Sequence, residues 1–224
     1  MTIKLSSAVV CFLLSMGLTL SCSKPKPMST TVRSVYYWST TLNIDYTKSA
    51  FIRRYDISRM YIRYFDVVTD ASGRAVPNAT LKFATCVPQG IDVVPTVFVM
   101  PECLRQDRQQ LAALIVKRVV QMNETNDVHN VREIQIDCDW TRSTRLLYSE
   151  FMQAMLGECH NRHLKLSSTI RLHQLAQTPP PADRGVLMMY NTGDATDIEC
   201  HKPILDMHDA APYLPRLKDY KLKL

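Results

Sequence analysis

Two carboxylates, Asp137 and Asp139, lie two residues apart near the end of the segment VREIQIDCDWT at 131–141. In an extended strand, residues two apart share one face, so their Cα atoms would lie roughly 7 Å apart. Carboxyl groups about 5–9 Å apart perform glycoside hydrolysis, which makes the pair a candidate catalytic site. The alternative is structural: the two acids neutralise Arg63 and Arg171, because buried charges need partners.

Further candidate ligand contacts lie at the ends of other predicted strands. An arginine and a histidine can bind an anionic or hydroxyl-rich ligand, the histidine can transfer protons, and aromatic faces can stack on sugar rings. The alternatives are a salt bridge, a loop histidine, aromatic core packing and a turn residue. The predicted ligand-binding residues are Arg63, Trp140, Arg171, His173, Tyr190 and Asn191.

The elements that must position these residues alternate between strands and helices. Ile134, Ile136 and Cys138 alternate with polar residues, which predicts a strand, and helical spacing of apolar residues follows Ser143. The two acids therefore lie at the carboxyl end of a strand, where sites of α/β folds lie.

The same pattern recurs along the chain. Helices are predicted at 41–55 and 105–123, a loop at 73–78 and a short extra strand at 81–83. Because proline lacks a backbone donor, the well-paired part of the third strand should begin at or after Pro95. The predicted strands are 34–38, 59–67, 91–100, 131–141, 164–172 and 185–190.

This alternation predicts an α/β fold with a parallel sheet. An open doubly wound sheet carries long apolar runs, whereas several strands here have one polar face, which favours a barrel with a site at its mouth. We therefore predict a TIM-barrel-like (β/α) repeat that is incomplete, with about six strands where a closed barrel has eight.

The amino-terminal segment has the features of a targeting signal. Lys4 precedes an apolar run at 8–20 that is too short to span a bilayer comfortably, and Cys22 follows it. The segment resembles a bacterial lipoprotein signal, with an ordinary cleaved signal peptide as the alternative. We predict a signal peptide at 1–22 with lipid on Cys22, a flexible tether at 23–31 and a barrel-like domain at 32–224. The implied partner is a membrane, reached through this lipid, in the bacterial cell envelope.

Several function classes find no support. The net charge is +6, but the basic residues are scattered along the chain, so no nucleic-acid partner is predicted. Irregular cysteine spacing implies no disulfide framework, and Cys138 and Cys159 are expected to be core thiols. The residues 159–163 (CHNRH) have no second ligand pair, and there is no glycine-rich phosphate loop, so neither a metal nor a cofactor is predicted.

The stretch IDCDW at 136–140 resembles the fourth strand of chitinase-type glycoside hydrolases, whose pattern is Asp-Gly-x-Asp-x-Asp-x-Glu. Asp137 and Asp139 match its second and third acids. Ile134 and Gln135 replace the first Asp and the Gly, and Thr141 replaces the catalytic Glu. The resemblance implies carbohydrate chemistry, and without that Glu a hydrolase of this mechanism should not work.

A second likeness covers most of the folded region. The pieces YIRYFDV, VVPTVFV, IQIDCDWTRSTRLLYSEFM and DRGVLMMYNTGD resemble an uncharacterised family of exported bacterial lipoproteins with longer, glycoside-hydrolase-like barrels. That family implies that this chain is truncated at its carboxyl end. Two functions stay open: carbohydrate binding or processing, and a non-catalytic envelope protein or inactive fragment.

Overall fold

Parallel strands and helices alternate through the computed structural model, which describes residues 31–190 and 204–224. Short 3-10 helices lie at Pro101–Arg105, Leu172–Ala176 and Leu214–Asp219. The remaining elements, in chain order, are β1 (Ser34–Tyr37), β2 (Thr41–Leu42), α1 (Tyr46–Arg54), β3 (Arg59–Thr69), β4 (Ala75–Asn78), β5 (Lys82–Phe83), β6 (Asp92–Val99), α2 (Arg108–Thr125), β7 (Glu133–Asp137), α3 (Arg145–His160), β8 (Lys165–Arg171), β9 (Arg184–Met188) and α4 (Met207–Ala210).

Six of these strands form one parallel sheet in the order β1-β3-β6-β7-β8-β9. The sheet curls into a half-barrel with helices on its outside. This confirms the predicted α/β, TIM-barrel-like fold with six strands. Strands that follow one another in this order lie side by side in the sheet. Because all of these pairings are parallel, the six carboxyl ends lie along one edge.

Two local predictions were wrong. The predicted loop at 73–78 contains β4, which pairs antiparallel with β3 and places Pro77 where only one neighbouring strand is described. The predicted helix at 41–55 begins only at Tyr46, because β2 pairs with β5 and Asp45 caps the helix by accepting from Lys48 N at 2.8 Å.

The prediction for Pro95 holds for one of the two strands that pair with β6. This strand begins at Asp92, ahead of Pro95, and Pro95 pairs with Ile62 of β3. Pairing of β6 with β7 begins only at Thr96, so the proline stands just before the doubly paired part of the strand.

The sheet has one apolar and one polar face. Ile134, Ile136 and Cys138 are fully buried in the main core together with Phe151 and Cys159 of α3, so the expected core thiols are confirmed. The opposite face carries buried polar residues, which point into the half-barrel: Thr96, Glu133, Gln135, Asp137, Ser167 and Thr169.

Residues 32–224 form one compact unit. Among the residues that the structure describes, no helix combines the length and the apolar character needed to cross a membrane.

Candidate functional site

A cleft of about 730 Å³ opens where β7, β8 and β9 end. Four residues predicted from the sequence line it together: Asp139, Arg171, His173 and Tyr190. The parallel sheet explains this meeting, because each residue lies at or just after the carboxyl end of its strand. Tyr190 is 41% exposed as a residue, so it is accessible to a ligand.

Arg171 joins the two acids. Its Nη2 donates to Asp137 Oδ1 at 3.1 Å, and its Nε donates to Asp139 Oδ1 at 2.8 Å. The two carboxylates differ in environment, since the Asp137 side chain is 7% exposed and that of Asp139 is 57% exposed. Thr169 Oγ1 also donates to Asp137 Oδ1, at 2.6 Å. These contacts are those expected of a structural pair, and the catalytic role of the acids stays a prediction.

Burial raises the pKa of Asp137 above its usual range, although Arg171 and the Thr169 hydroxyl oppose this increase and Asp139 adds to it. Burial lowers the pKa of Arg171, but the two carboxylates outweigh burial, so that this pKa is raised and the guanidinium stays charged. Asp139 is therefore the acid that presents an accessible carboxylate to the cleft, while Asp137 holds Arg171 in place from beneath.

Below the cleft, polar residues inside the half-barrel satisfy one another. Gln135 Oε1 accepts from Tyr36 OH at 2.8 Å, and Gln135 Nε2 donates to Ser167 Oγ at 3.4 Å. Burial raises the pKa of Tyr36, which keeps its hydroxyl neutral and able to donate.

A second ion pair lies deeper still. Glu133 Oε1 accepts from Arg184 Nη2 at 2.8 Å and from Ser167 Oγ at 2.6 Å. Arg184 Nη2 also donates to Tyr61 OH at 2.6 Å. Glu133 and Arg184 are thus paired with each other, and both line a separate pocket instead of the cleft.

Trp140 is not where the sequence-based prediction placed it. Its side chain is 1% exposed and stacks on Tyr148 of α3, with ring centroids 5.6 Å apart. The physical reason is strand alternation: Trp140 follows Ile136 and Cys138 on the helix-facing side, opposite Asp137 and Asp139. Trp140 therefore packs in the core and is not available as a stacking platform for sugars.

Arg63 also lies apart from the cleft lining. It donates to Asp66, with Nε 2.7 Å from Asp66 Oδ1, and makes no hydrogen bond to Asp137. The register between β3 and β6 shifts between Arg63 and Phe65, and such bulges redirect side chains. Asn191 and Cys22 fall outside the described residues.

Three cleft residues were missed by the sequence analysis: His208, Asp209 and Tyr213. They come from α4 and the turn after it, a region to which the sequence analysis assigns no site residue. Long-range packing brings them to the cleft, and no local pattern in the sequence indicates it. Within the described part of the chain, no group of three His, Cys, Asp or Glu residues could hold a metal ion.

Comparison with solved structures then identifies the fold. The chain is similar to a chitinase from Chromobacterium violaceum, with a TM-score of 0.54, 12% identity and coverage of 85% of this chain and 66% of that one. It is also similar to the carboxyl-terminal domain of a chitinase-annotated protein from Desulfitobacterium hafniense, with a TM-score of 0.53, 10% identity and coverage of 86% and 63%. The fold is glycoside-hydrolase-like.

A third similar structure is the Bacillus cereus spore cortex-lytic enzyme SleL, with a TM-score of 0.50, 17% identity and coverage of 84% of this chain and 48% of that one. The chain thus spans about two thirds of the two chitinase structures and about half of SleL. No protein-family model and no curated protein sequence matches the chain.

Proposed function

We propose that this chain binds a carbohydrate in the cleft at the carboxyl ends of β7, β8 and β9, and that it does so without hydrolysing the carbohydrate by the chitinase mechanism. The observation that carries the proposal is the convergence of Asp139, Arg171, His173 and Tyr190 on one cleft. A carboxylate, a guanidinium, an imidazole and an exposed ring supply hydrogen bonds and a stacking face, which are the contacts that sugars need. The glycoside-hydrolase-like fold supports the choice of ligand.

Position 141 supports the part of the proposal that excludes hydrolysis by the chitinase mechanism. Thr141 lines the cleft where the chitinase pattern has its proton-donating Glu, and within residues 31–190 and 204–224 its hydroxyl bonds to Ser143 and Thr144 alone. A hydroxyl cannot protonate a leaving oxygen as a carboxylic acid does. Asp137 does not replace it, because it is buried and already accepts from Thr169 and Arg171.

Binding can be tested by titrating N-acetylglucosamine oligomers into the purified full chain in calorimetry. We expect Asp139→Asn to weaken binding by roughly tenfold, because it removes a charged acceptor from the cleft. The matched control is Glu150→Gln: Glu150 is 59% exposed and pairs with Arg108 at 2.8 Å, much as Asp139 pairs with Arg171. Equal affinities of the Asp139 variant and the parent chain would contradict the proposed site, as would a lack of binding.

A second function is favoured by one specific observation. Asp209 lines the same cleft as Asp139, and two carboxylates facing one cleft are the minimum for glycoside hydrolysis. Release of reducing ends from the oligomers, abolished by Asp209→Asn, would establish this function in place of binding alone.

We further propose that the protein is exported and anchored in the bacterial cell envelope through lipid on Cys22. The support is the segment 1–22, with Lys4 ahead of an apolar run and Cys22 after it. Expression of the full chain in bacteria fed radiolabelled palmitate should label the protein. Cys22→Ala should abolish the label, whereas the control Cys86→Ala should keep it. A labelled Cys22→Ala variant would disprove the anchor.

A further inference from the structure

A second groove adjoins the cleft and shares His173 with it. This groove has a volume of about 580 Å³ and is lined by Arg142 and Arg145, together with Gln177 and Thr178. Its described lining contains two guanidinium groups and no carboxylate. The cleft has the opposite character, because Asp139 and Asp209 line it and only one described arginine, Arg171, does.

The two groove arginines are free to bind a ligand. In residues 31–190 and 204–224, neither Arg142 nor Arg145 has a carboxylate within 4 Å or a hydrogen-bond acceptor for its side chain. Arg171 differs, since both Asp137 and Asp139 already accept from it. An acidic group would therefore meet competing carboxylates in the cleft and uncompensated guanidinium groups in the groove.

A third donor lies beside the groove without an acceptor. Trp140 Nε1 is buried and has no hydrogen-bond partner, and the whole side chain is 1% exposed. Trp140 lines a cavity of about 10 Å³ together with Arg145 and Thr178, and these two residues also line the groove. Such a cavity has room for about one water molecule, which could link the indole N–H to an acceptor in the groove.

We propose that the groove between Arg142 and Arg145 binds a carboxylate substituent of a glycan whose rings occupy the neighbouring cleft. This inference rests on the proposed carbohydrate-binding function and names its ligand class: a glycan with acidic substituents, such as a lactyl ether or a uronic acid, instead of a neutral polymer. His173 lines both the cleft and the groove, so it lies where the two parts of such a ligand would meet.

The test compares three tetrasaccharides in calorimetric titrations of the purified full chain. They are an N-acetylglucosamine tetramer, an alternating N-acetylglucosamine and N-acetylmuramic acid tetramer, and the methyl ester of the latter. Esterification removes the charge and keeps the shape. We expect the free acid to bind roughly tenfold more tightly than its ester, with this preference decreasing as salt is raised.

Variants then locate the preference. Arg142→Gln combined with Arg145→Gln should remove the preference for the acid and leave the affinity for the neutral tetramer unchanged. The control, Arg53→Gln with Arg54→Gln in the last turn of α1, changes the net charge equally and should keep the preference. Circular dichroism verifies that both variants fold.

The possible results separate the acidic-glycan inference from the proposed binding function. Equal binding of acid and ester, or a preference that survives the Arg142/Arg145 double variant, overturns the acidic-glycan inference and leaves the binding function standing. Failure of all three tetrasaccharides to bind overturns the proposed function and the inference with it.

Discussion

Arg171 Nη2 donates to Asp137 Oδ1 over 3.1 Å, and this contact joins the end of β8 to the end of β7. The same guanidinium holds Asp139 through Nε, so one side chain fixes both acids of the strand that opens the site. The accessible carboxylate of Asp139 therefore depends for its position on a contact made by its buried neighbour.

Replacing Arg171 by Gln should destabilise the fold by about 3 kcal/mol, because the buried Asp137 loses its charged partner. Urea unfolding of the two proteins at pH 7 gives the difference in the free energy of unfolding. Glu150→Gln breaks an exposed pair with Arg108 and should cost less than about 1 kcal/mol. Similar losses of unfolding free energy in the two variants would show that the Arg171 ion pair contributes no more to stability than an exposed pair.

The pH dependence of stability tests whether burial or ion pairing controls Asp137. A carboxyl whose pKa is raised in the folded state favours folding while it is protonated, and this contribution is lost as the pH rises. The free energy of unfolding of the parent chain minus that of Asp137→Asn should therefore fall as the pH increases above about 4. Denaturant titrations between pH 3.5 and 8 measure this difference in the free energy of unfolding. A difference that increases with pH would show that the ion pair with Arg171 outweighs burial.

Gly185 offers a test of the packing beside β9. A Cβ at this position would lie 2.7 Å from Leu224 Cδ2 and 3.0 Å from Ile170 Cγ1, and Ile170 is fully buried. Gly185→Ala should cost about 1–2 kcal/mol of unfolding free energy. Gly157 in α3 is the matched control, because a Cβ there meets nothing within 4 Å, and alanine should stabilise by about 0.5–1 kcal/mol. Thermal unfolding of both variants checks the opposite signs.

The polar interior can be tested with a double-mutant cycle. Gln135→Leu removes the acceptor of the half-buried Tyr36 hydroxyl and should cost about 1–3 kcal/mol. In the background of Tyr36→Phe, where no hydroxyl is left unpaired, the same change should cost about 1 kcal/mol less. Strictly additive losses would mean that the Tyr36–Gln135 hydrogen bond contributes nothing measurable.

Much of the architecture was readable from the sequence because its signals are local. The alternation at 133–138 predicts β7 and its two faces, and the polar residues Gln135, Ser167 and Thr169 correctly indicated a polar barrel interior. Because parallel strands end along one edge, the meeting of Asp139 with Arg171 was also foreseeable as the ion-pair alternative.

The errors arose where local signals conflict or are absent. Pro77 and Gly73 indicated a loop, but β4 tolerates a proline at an edge of the sheet. Trp140 was assigned to the site by residue type, although the alternation that places Asp139 on one face places Trp140 on the other. His208 and Asp209 reach the cleft by packing between distant segments, which no local periodicity reports.

Thr141 has a consequence for how such proteins change over time. Its side chain is exposed and, among the residues that the structure describes, bonds only to its near neighbours Ser143 and Thr144, so we expect folding to tolerate other residues there. Under the proposed function, an exchange between a proton-donating Glu and Thr at this position would change catalysis and leave folding unchanged. A screen for stability or expression would not detect that exchange, whereas a comparison of catalytic turnover would.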